Sequence, residues 1–576
     1  RFDPQVDDGD YPAQARVCRG VTPWADEDAE PGSPCSARVF MSTVDRRLIA
    51  LDARSGEPCE TFGKAGEVRI KLPGKADDDP SAMTFVSPPA TANDVVLIGS
   101  AIPDGERTDA PSGKVRAFSA RTGEPAWDWD PIPRSTDDPR MAQWLGTSAQ
   151  GTGAANAWAP LSADEERGLF FVPTGSASTD YFGGERPGNN ADANSVVALD
   201  SRTGERIWAF QTVHHDVWDY DVSAPPTLIT LRTQSGTKDV VVQPTKMGFL
   251  FVLDRDTGEP VFGVEEREVV QSDVEGEWVS PSQPFPTLPK PLVADDVTSF
   301  GVTHWDAGEC RKIIEGLRHE GLFTPPSLQG TIVHPFSGGG MNWGGVAFHP
   351  DRQVLIVNSS DAAEYARLIP RDSDDIDIND QRFEQDGTPY ILDRGLIRSP
   401  LGAPCTDPPW GQLHAIDMST GEELWRTPLG SFEDVAPFGD LILPQGTPNL
   451  GGPLVTRNGV IFIGAAMDNY LRAFDLTSGA ELWKGRLPAG GQASPMGYTW
   501  KGRDYVVIAA GGHGLMRTTP GDAIVAFALD DNASGAAWFT WWDRPSPRTG
   551  FLACLLLVCG LGLVAFWRRR RGRAVA

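Results

Sequence analysis

Residues 212–221 read TVHHDVWDYD, and PTKMG follows at 244–248. His214, His215, Asp216 and Asp219 thus crowd one short segment, with the ammonium of Lys246 some way behind. Carboxylate and imidazole groups move protons, and an ammonium stabilises negative charge as it develops, so this set suits proton abstraction from a substrate. An isolated Asp is by default a turn residue at a strand end; the two histidines read as supports of a pocket wall. Seven cysteines contain no CxxC pair, which argues against a zinc site, and no CxxCH for attaching haem occurs.

The elements that must position these groups are short strands. Sixty-two Gly and 48 Pro are too many for a helical bundle of 576 residues and point to many turns. Self-similarity supplies the order. IALDARSGEPC (49–59), VRAFSARTGEPAW (115–127), VVALDSRTGERIW (196–208), LFVLDRDTGEPVF (250–262), LHAIDMSTGEELW (413–425) and LRAFDLTSGAELW (471–483) share one pattern. An apolar strand, usually ending in Asp, meets a Thr/Ser-Gly turn, and the next strand carries an aromatic that can plug between neighbouring units. The turn glycines Gly56, Gly123, Gly204, Gly258, Gly421 and Gly479 are 67, 81, 54, 163 and 58 residues apart. The gap of 163 is about three ordinary periods, so two degenerate units are expected in it, one containing GGVAFHPDRQVLIVNSS. The fold class that follows is all-β: one eight-bladed β-propeller with tryptophan-docking repeats over residues 1–530.

The ends differ from the middle. The chain opens on Arg1, and RFDP resembles DWDP at 128–131 after an aromatic repeat, so it is expected to start partway through a blade. Residues 550–567 are apolar or small throughout, about 27 Å as a helix, and Arg568 to Arg571 and Arg573 follow. This predicts a linker at 531–549, one C-terminal transmembrane helix at 550–567 and a basic cytoplasmic tail at 568–576, with the propeller facing the periplasm from the inner membrane. A cleaved sorting tail is the alternative. Outside the cytoplasm cysteines can pair, Cys18 with Cys35 being one option. A net charge of −27 excludes a broad attraction to nucleic acid.

The repeat resembles the tryptophan-docking motif of pyrroloquinoline quinone (PQQ) dehydrogenases, which non-catalytic envelope propellers share. Longer strings discriminate: CRGV (18–21), TVHHDVWDYD, PTKMGFLFVLDRDTGEP (244–260), EGLFTPPSLQGT (320–331), LGAPCTDPPWG (401–411) and LPAGGQASPMGYTWKGRDYVVIAAGGHG (487–514) are similar to the membrane-bound quinoprotein glucose and quinate dehydrogenase group. The resemblance runs to about residue 529. It implies that a sugar or cyclic polyol is oxidised by hydride transfer to PQQ, with electrons passed to membrane ubiquinone.

It also implies roles. Asp219 matches the general base and Lys246 the lysine at the quinone oxygens. Arg19 matches an arginine on the cofactor carboxylates, Trp158 the tryptophan against the quinone face, and Asn342 beside Trp343 an amide that contacts PQQ. Asp104, Ser178 and Asp219 match the positions that hold Ca²⁺ or Mg²⁺, but Gly105 stands where the glucose-type enzymes have Asn, and Ser178 where alcohol dehydrogenases have Asn. The group's histidine on the opposite quinone face falls upstream of this sequence. Two other readings stay open: a non-catalytic envelope scaffold and a PQQ alcohol dehydrogenase. The acidic stretch 367–387, inside the long gap, is where discrimination among hydroxylated rings is expected.

Overall fold

Each Thr/Ser-Gly turn closes a hairpin, and its chemistry recurs. In the unit at Ser195–Asp200 and Arg206–Gln211, the Asp200 carboxylate accepts the backbone N–H of Arg202 (2.9 Å) and Thr203 (2.8 Å), and Gly204 takes φ +72°. Asp52, Asp254 and Asp475 cap their turns in the same way. Glycine is required for a second reason. A Cβ on Gly204 would lie 2.5 Å from the ring of Trp127, one on Gly258 2.6 Å from Trp208, and one on Gly479 2.6 Å from Trp425. Each tryptophan therefore lies against the turn of the next unit, and its indole N–H donates to a carbonyl there: Trp127 to Ser201, Trp208 to Arg255, Trp425 to Leu476. Replacing Gly258 by Ala forces positive φ on a residue with a Cβ and drives that carbon into Trp208. We expect a loss of about 1–3 kcal/mol in urea unfolding.

The computed structural model describes residues 2–6, 11, 17–233, 236–373, 382–436, 439 and 443–528. Among them are six four-stranded, two three-stranded and one two-stranded antiparallel sheets. Seven of these run in simple chain order or nearly so. They begin with the strands Thr22–Ala25, Ala90–Ala92, Ser162–Asp164, Thr227–Thr233, Ala347–His349, Leu454–Val455 and Met496–Trp500. The first strands of neighbouring sheets touch from Thr22–Ala25 through to Thr227–Thr233, and again between Ala347–His349 and Leu454–Val455. Facing sheets bury mixed clusters. Leu355, Val357 and Ile416 pack with Val240, Val242 and Val252, which puts the fourth and fifth sheets side by side.

The all-β propeller is what the repeat predicts, but the count and the long gap are corrected. Strands Ala347–His349 and Val354–Ser360, expected as a separate degenerate unit, pair with each other, and Val354–Ser360 pairs on with Gly411–Asp417, so the two form the first half of the Gly421 unit. The remainder of the gap builds a hairpin of Val264–Glu268 and Ser282–Pro286, a helix at His304–Glu315, and a sheet of Thr331–Val333, Glu364–Pro370, Tyr390–Leu396 and Arg382–Phe383. The described residues thus hold seven radial sheets, and the gap is spent on an insertion.

Two further expectations are corrected. No helix of the described residues is long and apolar enough to cross a membrane. The longest, His304–Glu315, has 12 residues and spans about 18 Å. The linker 531–549, the span 550–567 and the tail 568–576 lie outside the described residues. Among the described residues no transmembrane helix supports the inner-membrane placement and membrane partnership expected above. The disulfides join Cys35 to Cys59 and Cys310 to Cys405, leaving Cys18 free and exposed instead of paired with Cys35. In the first repeat Glu60, and not an aromatic, stands four residues after the turn glycine Gly56, and the neighbouring Cys59 makes the bridge to Cys35.

Candidate active site

In a four-stranded antiparallel unit, the connections after strands one and three emerge at one edge, and those after strands two and four at the other. The turn glycines lie after third strands. Every residue singled out above for chemistry lies on the opposite edge. Asp104, Ser178 and Lys246 follow second strands; Arg19, Trp158, Asp219, Asn342 and Trp343 precede first strands. Topology therefore gathers on one face of the ring groups that are scattered over 325 residues.

Asp219 takes φ +58° in a turn organised by Asp216, whose carboxylate accepts the N–H of Trp218 (3.0 Å) and Tyr220 (2.8 Å) as well as the Ser176 hydroxyl. The conformation turns the Asp219 carboxyl toward Lys246. The Lys246 ammonium donates to Asp219 Oδ1 at 2.8 Å, to the Asp219 carbonyl at 2.7 Å and to Asp221 Oδ2 at 2.9 Å. All three side chains are buried. Burial raises the Asp219 carboxyl well above the usual carboxylate range, with Asp221 and Asp104 adding to it and Lys246 opposing. Asp221 is also desolvated, yet its contact with Lys246 outweighs that and leaves it lowered. Burial would lower Lys246, but Asp219, Asp221 and Asp104 raise it above an ordinary lysine. Two buried carboxyls thus share one cation.

Trp158 stands beside this pair. Its indole N–H donates to Asp221 Oδ2 at 3.2 Å, and Lys246 Nζ lies 5.9 Å from its ring centre. Arg19 is 5.2 Å from the Trp158 ring and 5.2 Å from the Trp343 ring, so the guanidinium is flanked by two partly exposed indoles. Its polar contacts are neutral: Nη1 donates to Val86 O (3.2 Å) and Ser87 Oγ (3.2 Å), and buried Nε has no partner. Burial depresses its pKa to about 9, and no carboxylate among the described residues compensates it. An uncompensated guanidinium between aromatic faces fits a planar anion.

Other expected residues are placed differently. Asn342 Nδ2 donates to Gly338 O and its Oδ1 accepts Trp343 N–H, so its amide is occupied in a turn. Ser178 Oγ donates to Thr108 O and accepts Gly153 N–H. Asp104 is exposed toward the face of the site yet surrounded by enough protein that burial, with Asp221, pushes its carboxyl up to about 6. Among the described residues no group of three or more His, Cys, Asp or Glu side chains is arranged to hold a metal ion. His214 and His215 serve the wall: His215 Nδ1 is 2.9 Å from Gly188 O, and His214 bridges Gln211 and Glu266.

Sequence reasoning missed several neighbours. Arg394, from the inserted sheet, donates from Nη1 to Asp219 Oδ2 (3.3 Å), Tyr181 Oη (2.5 Å) and Ser337 Oγ (2.8 Å). Glu364 accepts from Tyr181 and Ser337. Asp180 accepts Gly105 N–H at 2.5 Å, and burial with Asp104 raises its carboxyl. His513, within the GGHG string, stacks near-parallel on Trp343 at 6.3 Å, and burial and then Arg19 lower its pKa to about 4.

A family model described as "PQQ: Glucose/ethanol/alcohol dehydrogenase, beta-propeller domain" matches residues 1–506. The chain belongs to this family of PQQ-dependent dehydrogenases. The quinoprotein is 38% identical over 557 residues to quinoprotein glucose dehydrogenase of Escherichia coli (strain K12), covering 92% of this chain and 68% of the relative. It is 38% identical over 547 residues to the glycerol dehydrogenase large subunit of Gluconobacter oxydans (strain 621H), covering 90% and 72%. Among solved structures, quinohemoprotein alcohol dehydrogenase from Comamonas testosteroni superposes with a TM-score of 0.63 at 21% identity, covering 95% of this chain and 72% of that one, which supports the propeller fold. The protein is thus a quinoprotein dehydrogenase that acts on CH–OH compounds with a quinone as acceptor, and the scaffold alternative falls.

Proposed function

We propose that this dehydrogenase oxidises a polyhydroxylated compound, a sugar or cyclic polyol, at the face bounded by Asp219, Lys246 and Arg394. The observation that carries the reading is the buried Asp219 carboxyl, held between Lys246 and Arg394 beside the Arg19–Trp158–Trp343 seat. When bound, PQQ supplies the electrophilic quinone that accepts the hydride. Arg19 would hold its carboxylates in the fork of the guanidinium, with Trp158 and Trp343 lining its faces. Asp219 takes the proton of the substrate hydroxyl, and burial makes it a stronger base than an ordinary carboxylate. Lys246 keeps a positive charge next to the reacting atoms and, through Asp221, is fixed to the Trp158 indole.

For Ca²⁺ or Mg²⁺ the fit is partial. Asp104, Asp180 and Asp219 form an acid-rich edge whose raised carboxyls a divalent cation would relieve, and oxygen ligands are what such cations prefer. Ser178 is already bonded to backbone, so Asp104 and Asp219 are the chain's stronger candidates.

Reconstitution with PQQ, with and without Ca²⁺ or Mg²⁺, followed by dye reduction with glucose, glycerol, quinate, shikimate and simple alcohols tests the proposal. Bound PQQ that no polyol reduces would overturn it. In the same assay Arg19→Met is expected to raise the PQQ dissociation constant on the order of 10- to 100-fold, the loss of a charge-assisted contact, without lowering the melting temperature of the cofactor-free protein.

A further inference from the structure

The insertion in the fifth sheet reaches the base. Strands Glu364–Pro370 and Tyr390–Leu396 leave the radial sheet after Val354–Ser360 and return to it at Gly411–Asp417, and they pair so that Arg394 opposes Ala366. This excursion places Arg394 against Asp219, with the guanidinium 5.1 Å from the Tyr181 ring and 4.6 Å from the Phe383 ring. Its bonds to Asp219, Tyr181 and Ser337 all use Nη1, and Glu364 is 3.9 Å from that same nitrogen. Nε and Nη2 have no hydrogen-bond partner among the described residues, although a guanidinium carries five N–H donors in a rigid plane. The side chain keeps 19% of its surface accessible. Arg394 is therefore held through one nitrogen beside Asp219, in a side chain that stays partly accessible and whose remaining N–H groups the protein leaves unpaired.

We propose that Arg394 is a specificity-determining residue. Its free N–H groups hydrogen-bond the hydroxyl next to the one whose proton Asp219 takes, so that neutral vicinal polyols are preferred over monohydric alcohols and over hydroxy acids. The inference rests on the functional reading above and narrows its substrate class. Two arguments support it. Oxygens on adjacent carbons are separated by roughly a hydrogen-bond length, and the Arg394 guanidinium is in direct contact with the Asp219 carboxyl, so a diol whose first hydroxyl meets Asp219 carries its second within reach of the guanidinium. The charge balance selects against anions: Asp104, Asp219, Asp221 and Glu364 surround two cations, Lys246 and Arg394, both already engaged by carboxyls. A substrate carboxylate would enter an environment that already carries excess acid.

The test compares 1,2-propanediol with 1-propanol, and glycerol with quinate, in PQQ-loaded parent protein, Arg394→Met and Arg394→Lys. The readout is the ratio of kcat/KM values within each variant. Any disturbance transmitted through Asp219 affects both alcohols alike and cancels in that ratio, so a merely structural role for Arg394 leaves it unmoved. We expect the parent to favour the diol and glycerol, and the diol-to-monol ratio to fall on the order of 10- to 100-fold in Arg394→Met. Arg394→Lys keeps a charge for Asp219 and Glu364 but loses the planar fork, and must lower the ratio as well; it decides the matter if the Met variant does not fold. An unchanged ratio in a variant that turns over both alcohols, or a parent that prefers quinate to glycerol, overturns the inference. A parent whose bound PQQ is reduced by no alcohol overturns the functional reading and this inference with it, a result recognisably different from an unchanged ratio.

Discussion

Asp219→Asn should lower the rate of substrate-dependent PQQ reduction on the order of 10²- to 10⁴-fold while leaving PQQ bound. The amide keeps the shape that Lys246 and Arg394 grip but cannot take the proton of an alcohol. The pH dependence separates loss of a base from loss of a contact. The base works only when ionised, so activity falls as pH drops through its pKa, and burial places that pKa above the ordinary carboxylate range. The parent's acidic limb should therefore lie at higher pH than an exposed Asp would give, and the Asn variant should show no such limb. Stopped-flow absorbance of the bound cofactor across pH measures both. A variant that retains the acidic limb would assign the base elsewhere, Asp104 being the nearest alternative with a raised carboxyl.

The propeller was legible because its repeat is local. Asp, Thr/Ser and Gly within five residues specify a hairpin through hydrogen bonds that the segment makes with itself, as Asp200 and Asp254 show. The docking tryptophan is one step less local, yet it repeats with the turn it packs on. Where periodicity lapsed, reading failed. The strands of GGVAFHPDRQVLIVNSS were assigned a unit of their own because their partner, Gly411–Asp417, lies some fifty residues on, and strand pairing across an insertion leaves no local signal. The same distance hid Arg394, Glu364 and Tyr181, which meet only because the inserted sheet folds back over the third unit. Asp219 and Lys246 stood out because long strings around them match a family, yet nothing in those strings indicated that Asp221 shares the lysine. The metal set matched by position was half realised: Asp104 faces the site, whereas the Ser178 hydroxyl bonds to Thr108 and Gly153. The turn carboxylates also show why the acidic composition is not one feature. Asp52, Asp254 and Asp475 are capped and lowered, while Asp104, Asp180 and Asp219 are crowded and raised.

Lys246→Met should damage stability and chemistry together, and pH should distinguish the two. The substitution preserves a long apolar stem but leaves Asp219 and Asp221 buried with their shared cation gone. Removing one partner of a buried ion pair costs about 3–5 kcal/mol. The sign follows from the shifts. Asp221 is lowered in the folded protein, so its pairing with Lys246 stabilises the fold above the unfolded carboxylate pKa of about 4 and is lost as pH falls through the folded value. Lys246 is raised, so its contribution is complete below the unfolded lysine pKa of about 10 and is lost as pH rises through the folded value. The stability gap between parent and variant is therefore widest between about pH 4 and 10, and closes in acid, where both carboxyls take up protons and need no cation. Urea unfolding at several pH values measures that gap. PQQ reduction should fall on the order of 10²- to 10³-fold even under conditions where the variant is fully folded, because among the described residues no other lysine ammonium is paired with Asp219 or Asp221. Lys246→Arg provides the contrast: a guanidinium there keeps the carboxyls paired and the stability largely intact, but it spreads its charge over a plane beside the Trp158 ring. If its stability returns while its rate stays low, the position of the charge, and not its presence alone, is what the reaction requires of Lys246.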